Sequence, residues 1–346
     1  MNRFAWTKVT TVSAAASAAS TTVADAMTNA HDHAAVIKAG GIDLLDLMKE
    51  NLLAPATVVS LTGIADLDEI ADEDGTLRIG AMTTLAGLAE HALIRQRYPA
   101  LADAVNGSAS PQIRHAATIG GNLLQRPRCW YFRAEAYHCL RKGGGHCFAT
   151  AGENQYHAIF DNHVCAIVHP STAATALVAL GASVELVDAD GKQRRLPLED
   201  FFVGPARDLQ RENDLKPREI LTAIRLPALP AGTRMAHLKQ GEKDSFDWPL
   251  ADVAVALKLA PAGICESAAI ILGAAAPVPH RARAAERALV GKVIDEAAAR
   301  EAARAAIEDA TPLAKNAYKV PLFETLVRRT ILAALSHSSL TREERL

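Results

Sequence analysis

Two glycine-containing stretches decide the fold of this chain: KAGGIDLLDLMK at 38–49 and QIRHAATIGGN at 112–122. The first follows a predicted short strand at 35–37, and apolar residues at helical spacing begin after its glycine pair. Glycines between a strand and a helix leave backbone amides available to an anion and let a pyrophosphate come close. Neither stretch has the G-x-G-x-x-G spacing of a Rossmann fingerprint. Each glycine pair alone is typical of a tight turn, whereas two of them suit the two sides of one extended dinucleotide.

Length and composition exclude several classes of protein. The chain has 346 residues, which exceeds one ordinary core and predicts two domains. A net charge of −2 and an aromatic content of 5% give no basic field or stacking surface for nucleic acid. No run approaches the ~18–20 apolar residues that a membrane helix needs. The alanine-rich stretch at 10–24 lacks leucine and predicts a helix rather than a signal peptide, so the expected compartment is the cytoplasm.

The hydrophobic pattern predicts an α+β fold. An N-terminal helix is predicted to run through about Asn29, and another from Thr83 or Thr84 to about Arg95. The residues DADG at 188–191 are typical of a hairpin turn. Two prolines within 227–232 indicate a linker. Beyond it, strand patterns precede helix patterns, which predicts a small α+β domain.

Four of the five cysteines fall within 37 residues: Cys129, Cys139, Cys147 and Cys165. They lie in a basic stretch at about 125–168 that lacks hydrophobic periodicity and is predicted to be an irregular loop. The odd total does not indicate a disulfide framework. Four thiolates in a basic loop suit an iron–sulfur cluster. Zinc and unligated cysteines are the alternatives, although the C-x2–4-C pairs of zinc knuckles do not occur. Cys265 is predicted to be structural.

Both glycine stretches resemble the two FAD loops in the medium subunits of the xanthine dehydrogenase and carbon monoxide dehydrogenase family. NAYKVPL at 316–322 is similar to the end of the family's C-terminal domain. The resemblance spans almost the whole chain, in the family's order. It implies an α+β architecture with a two-subdomain FAD-binding domain of the PCMH/VAO-like type at 1–228, which includes the cysteine-rich loop. A small α+β C-terminal domain is implied at 233–346.

The resemblance also implies which residues bind FAD. These are Ile37, Lys38, Ala39, Gly40, Gly41, Ile42, Asp43, Leu44, Ser110, Thr118, Gly120, Gly121, Asn122, Thr172 and Lys239. Lys239 has a second interpretation as a solvated lysine. The chain departs from the family at Thr172, where an aspartate usually bonds the ribityl chain, and at His115, which replaces an asparagine. No catalytic acid or base is expected, since the flavin supplies the chemistry.

The cysteine-rich stretch is similar to an insertion in the FAD subunits of periplasmic aldehyde oxidoreductases, which implies a [4Fe–4S] cluster on Cys129, Cys139, Cys147 and Cys165. The implied function is that of an FAD-containing electron-transfer subunit of a heterotrimeric molybdenum hydroxylase, an aldehyde oxidoreductase. The implied partners are a molybdenum-cofactor large subunit, a [2Fe–2S] small subunit and an external electron acceptor. Export with a signal-bearing partner would make the complex periplasmic. The alternatives are a stand-alone FAD-dependent oxidoreductase and a zinc-stapled scaffold protein.

Overall fold

The computed structural model describes residues 1–28, 33–243 and 245–336, and over these residues the chain forms three sheets covered by helices. The strands are β1 (Ala5–Lys8), β2 (Ala35–Lys38), β3 (Thr57–Ser60), β4 (Ile70–Glu73), β5 (Thr76–Gly80), β6 (Ser183–Asp188), β7 (Gln193–Pro197), β8 (Glu219–Leu226), β9 (Thr233–Gln240), β10 (Ala251–Leu259), β11 (Cys265–Gly273) and β12 (His280–Arg281). The helices are α1 (Val12–Ala18), α2 (Val23–Thr28), α3 (Ile42–Lys49), α4 (Leu85–Glu90), α5 (Ala92–Arg97), α6 (Pro99–Asn106), α7 (Pro111–Ala116), α8 (Ile119–Leu123), α9 (Trp130–Arg133), α10 (Thr172–Ala179), α11 (Leu198–Phe201), α12 (Arg283–Leu289), α13 (Glu296–Ala305) and α14 (Lys319–Leu335). None of the described helices is both long and apolar enough to cross a bilayer.

The first sheet is parallel, with strand order β1-β3-β2. Parallel neighbours need crossover connections, and α1, α2 and α3 lie on the paths between these strands. Val36 and Val58 of the sheet share a buried core with Leu47 of α3. This packing fixes α3 against the sheet and places the turn between β2 and α3 at the carboxyl ends of the strands.

The second sheet is antiparallel, with strand order β4-β5-β8-β6-β7. Its core joins Ile79 and Ile224 of the strands to Leu101 of α6 and Leu177 of α10. The predicted hairpin at 188–191 is confirmed as the turn between β6 and β7, where Gly191 has a positive φ of 80°. A positive φ favours glycine because it has no Cβ to collide with the backbone.

The third sheet is antiparallel, with strand order β12-β11-β10-β9, and helices α12 to α14 cover one of its faces. Val253 and Val255 of β10 face that helical layer and share a core with Phe323 of α14. Ala254, between them, belongs instead to the core of the second sheet, as does Ile271 of β11. Side chains of β10 therefore alternate between two cores, and this strand packs against the second sheet on one face and against the C-terminal helices on the other. Residues 337–346 of the predicted C-terminal domain lie outside the described ranges.

Two helices that were predicted to be continuous are interrupted. Helix α1 ends at Ala18 because Ser20 pairs with the start of β2: its backbone N–H donates to the Ala35 carbonyl at 3.1 Å, and its hydroxyl accepts from the Ala35 N–H at 2.9 Å. The predicted end at Asn29 lies outside the described residues. The predicted helix from Thr84 breaks at His91, which has extended backbone angles and separates α4 from α5.

Candidate functional site

An open cleft lies between the parts of the chain built on the first two sheets, and the third sheet adds Lys239 to its wall. It is lined by the turn between β2 and α3, by α7 and α8, by the start of α10, and by the loop between β9 and β10. Its empty space, including the open mouth, is about 1730 Å³. Both glycine stretches and part of the C-terminal domain line it, so an extended ligand such as a dinucleotide can contact all of them at once.

Most of the residues predicted to bind FAD line this cleft together: Ile37, Ala39, Gly40, Gly41, Ile42, Asp43, Leu44, Thr118, Gly120, Gly121, Asn122, Thr172 and Lys239. Two predicted residues are not in its wall. The Lys38 ammonium donates to the Ala39 carbonyl at 2.9 Å and lies 5.6 Å from the centroid of the Trp6 ring. Ser110 caps α7 by accepting from the Ile113 N–H at 3.3 Å. Both side chains therefore have local structural partners instead.

Gly40 brings the two glycine stretches into direct contact. A Cβ at this position would lie 1.9 Å from the carbonyl oxygen of Ala116, so any side chain would separate them. Gly41 has a φ of 88° and immediately precedes α3, whose first backbone N–H groups form the positive end of the helix dipole. A close backbone turn in front of a helix N-terminus suits a phosphate group.

The second glycine stretch is held by side-chain hydrogen bonds. The Thr118 hydroxyl accepts from the Gly121 N–H at 3.2 Å and so caps α8. The Ser171 hydroxyl donates to the side-chain oxygen of Asn122 at 2.5 Å, which joins α8 to the start of α10. Thr172 follows and lines the cleft, so a hydroxyl is available where the family usually has a carboxylate.

Lys239 joins the C-terminal domain to the wall of the cleft. Its ammonium donates to the carbonyls of Gly107 at 3.0 Å and Asp247 at 2.7 Å, and burial lowers its pKa. Lys239 is therefore half-buried with two protein acceptors, and its role toward FAD stays a prediction. Arg128 and Trp248 were missed as cleft residues; the Arg128 guanidinium lies 5.0 Å from the centroid of the Trp248 ring, and both line the cleft. This pair joins the cysteine-rich loop to the loop after β9, and no local pattern indicates such a contact.

A second, smaller cavity has all four clustered cysteines in its wall: Cys129, Cys139, Cys147 and Cys165. Their loop is irregular apart from α9 and two single 3-10 turns, at Leu140–Lys142 and Phe148–Thr150, as the lack of periodicity predicted. Cys139 and Cys165 are buried and the other two are half-buried. Cys265 packs separately in the core of the C-terminal domain, which agrees with a structural role.

The cysteines line one cavity without forming a single-ion site. Within the described ranges, no three His, Cys, Asp or Glu side chains converge closely enough to hold one metal ion.

The thiols of this cavity differ in their affinity for protons. Burial raises the pKa of the Cys129 thiol to about 11. A hydrogen bond between Cys147 and Cys165 lowers the pKa of Cys147 to about 5 and raises that of Cys165. His157 Nε2 lies 3.2 Å from Cys129 Sγ, and burial lowers the pKa of this imidazole to about 4. The thiols of Cys129 and Cys165 therefore hold protons that a bound metal centre would displace.

Two family models match consecutive parts of the chain. The FAD binding domain in molybdopterin dehydrogenase matches residues 2–229, and the CO dehydrogenase flavoprotein C-terminal domain matches residues 236–334. The chain is 34% identical over 303 residues to the aldehyde oxidoreductase FAD-binding subunit PaoB of Escherichia coli (strain K12), covering 87% of this chain and 90% of that protein. It is 29% identical over 304 residues to the carbon monoxide dehydrogenase medium chain of Hydrogenophaga pseudoflava, covering 87% and 89% respectively.

Solved structures agree with these matches. A carbon monoxide dehydrogenase chain from Hydrogenophaga pseudoflava superimposes with a TM-score of 0.72 at 27% identity, covering 96% of this chain and 98% of that one. The reconstituted enzyme from Oligotropha carboxidovorans gives a TM-score of 0.74 at 25% identity, covering 97% and 99%. The expected α+β fold is thereby confirmed. By sequence and fold, the chain belongs to the FAD-binding subunits of the molybdenum hydroxylase family of dehydrogenases.

Proposed function

We propose that this chain is the FAD-containing electron-transfer subunit of a heterotrimeric molybdenum hydroxylase that oxidises aldehydes. Its partners would be a molybdenum-cofactor large subunit and a [2Fe–2S] small subunit. Bound FAD would supply electron transfer from the iron–sulfur centres of the partner to an external acceptor. The observation that carries the proposal is the open cleft, in which two distant glycine stretches meet at Gly40 and Ala116. The aldehyde class rests on the 34% identity to the Escherichia coli aldehyde oxidoreductase subunit.

The task of the chain itself is to bind and orient the flavin. The turn at Gly40 and Gly41 and the N-terminus of α3 suit the pyrophosphate, as argued above. The hydroxyl of Thr172 suits the hydroxyl-bearing part of the ligand, because it can both donate and accept a hydrogen bond. Lys239 holds the C-terminal domain against the cleft, so that domain contributes to one wall of the site.

We also propose that Cys129, Cys139, Cys147 and Cys165 bind a [4Fe–4S] cluster. Two observations support this. All four thiols line one cavity, and several basic side chains lie in the same loop. An iron–sulfur cube needs four thiolates round a centre larger than one ion, and nearby cations offset its negative charge.

Co-purification tests the electron-transfer role. The tagged chain is expressed with its candidate partner subunits, and the isolated material is analysed for subunits, molybdenum and flavin. A complex of three subunits that reduces an artificial acceptor with aldehydes is the expected result. Flavin in a chain that binds no partner would support a stand-alone oxidoreductase, and a chain without flavin in the presence of its partners would refute the proposal.

Iron and zinc analysis tests the cluster. We expect flavin absorption together with about four irons per chain. Cys139→Ala should lose the iron, whereas the matched control Cys265→Ala, which removes another buried thiol, should retain it. Zinc in place of iron would leave the flavin role intact and refute the cluster. Iron that persists in Cys139→Ala would show that this cysteine is not a ligand.

A further inference from the structure

Two buried arginines share one buried carboxylate between the two cavities. Arg126 lines the cleft, Arg141 lines the cysteine cavity, and Glu212 lies between them. Arg141 Nη1 donates to Glu212 Oε1 at 2.6 Å, and Arg126 Nε lies 3.0 Å from Glu212 Oε2. The three side chains are only 2%, 1% and 4% exposed in the order Arg126, Arg141, Glu212. We call this set the arginine–glutamate bridge.

The bridge carries one more positive charge than a structural ion pair needs. Two guanidinium groups face one carboxylate, so the set has a net charge of +1. The neighbouring Arg128 and Arg133 do not change this balance, because they pair with two aspartates of α3. An uncompensated charge is costly to bury, and either arginine alone would neutralise Glu212. Neutralising Glu212 therefore requires only one of the two arginines.

Glu212 does not use all the donors of either guanidinium. Within the described part of the chain, Arg126 Nη1 has no hydrogen-bond partner. The remaining Arg126 nitrogen, Nη2, donates to the Gln210 carbonyl at 3.0 Å. On the other side, the Arg141 guanidinium makes a hydrogen bond to the Cys165 thiol. Buried donors without a partner are rare in folded proteins, and they indicate a group that completes them.

We propose that the arginine–glutamate bridge supports anions in both cavities at once. Arg126 contacts a phosphate oxygen of the dinucleotide in the cleft, and Arg141 contacts the sulfur anions of the cysteine cavity. Glu212 is a positioning residue that fixes both guanidinium groups. Arginine suits both tasks because its planar set of donors makes several charge-assisted hydrogen bonds. The role of Arg141 rests on the cluster proposed above.

Arg126→Met and Arg141→Met separate the two roles. Each variant leaves a neutral pair between Glu212 and the remaining arginine, so neither creates an unpaired buried charge. The variants are prepared as the full complex with its partner subunits. Arg225→Met is the control, because Arg225 on β8 also pairs with glutamates but lines neither cavity. The two readouts are the dissociation constant of FAD and the midpoint potential of the cluster.

We expect Arg126→Met to raise the dissociation constant of FAD at least tenfold and to leave the cluster potential unchanged. Arg141→Met should shift the one-electron reduction equilibrium of the cluster at least tenfold towards the oxidised form, about 59 mV, with less than a threefold change for FAD. The sign follows because removal of a positive charge disfavours the added electron. Glu212→Gln should change both readouts, and Arg225→Met neither.

Other results would overturn the inference. If each arginine variant changes both readouts to the same extent, the bridge is only structural. If neither variant changes its own readout, neither arginine contacts a cofactor. If Glu212→Gln does not fold, the two arginine variants still decide the question. Flavin without iron in the unsubstituted complex would instead refute the cluster, and with it the role of Arg141, while the test of Arg126 would stand.

Discussion

Substitution of Gly40 by alanine tests the contact that forms the flavin cleft. The added methyl group would lie 1.9 Å from the Ala116 carbonyl oxygen, whereas ordinary contacts of a Cβ begin at 3.4 Å. The turn after β2 and the end of α7 must therefore separate by about 1 Å or more. Overpacking of this kind typically costs about 1–3 kcal/mol, which corresponds to a fall in Tm of several degrees for a domain of this size. Because both segments line the cleft, we also expect FAD to bind at least tenfold more weakly, a loss of about 1.4 kcal/mol.

The assay measures bound FAD by absorbance after gel filtration, the dissociation constant by flavin fluorescence, and Tm by differential scanning calorimetry. Gly204→Ala is the matched control, because a Cβ there meets nothing within 4 Å. It should retain the flavin and the Tm of the parent protein. If Gly40→Ala also behaves like the parent protein, the two glycine stretches do not need this close approach, and the reasoning is refuted.

Three further predictions concern buried polar groups. Burial lowers the pKa of His169 to about 3, below its usual 6.5. The free energy of unfolding should therefore fall by about 1.4 kcal/mol per pH unit between pH 6.5 and about pH 3, because the unfolded chain binds a proton that the folded chain does not. His169→Gln should lack this pH dependence in an acid denaturation experiment. Asp252→Ala should lower the free energy of unfolding, measured by urea denaturation, by about 3 kcal/mol. The reason is that the substitution leaves the buried Thr175 hydroxyl without the carboxylate that accepts its hydrogen bond at 2.8 Å. An unchanged urea midpoint would contradict this expectation. Lys319→Met should lower the free energy of unfolding by about 1–3 kcal/mol in the same assay, since the buried amine of Lys319 donates to the Ala274 carbonyl. A variant that is more stable than the parent protein would show that burying this amine costs more than its hydrogen bond contributes.

Much of the fold could be predicted because its determinants are local. Hairpin turns such as 188–191 and the order of strands and helices after the linker depend on short-range composition. Strand β9 was not predicted, because its residues are mostly half-buried and lack a regular alternation. Two helices were predicted to be longer than they are. One is interrupted where Ser20 forms hydrogen bonds with β2, and the other where the backbone of His91 is extended, and no sequence pattern indicates either interruption. The family matches end at 229 and resume at 236, and the domain boundary between them stays a prediction.

The sequence by itself determined the family, the flavin cofactor and the candidate cysteine ligands, because the chemistry of glycine turns and clustered thiols depends on residues that are close in sequence. Only the tertiary structure decided which of the predicted residues line the same cleft. It removed Lys38 and Ser110 from the cleft and added Trp248. It also revealed that Arg126 and Arg141 meet at Glu212, more than 70 residues further along the chain. Spacing in sequence carries no information about such contacts, since packing between distant segments sets which charges are buried together.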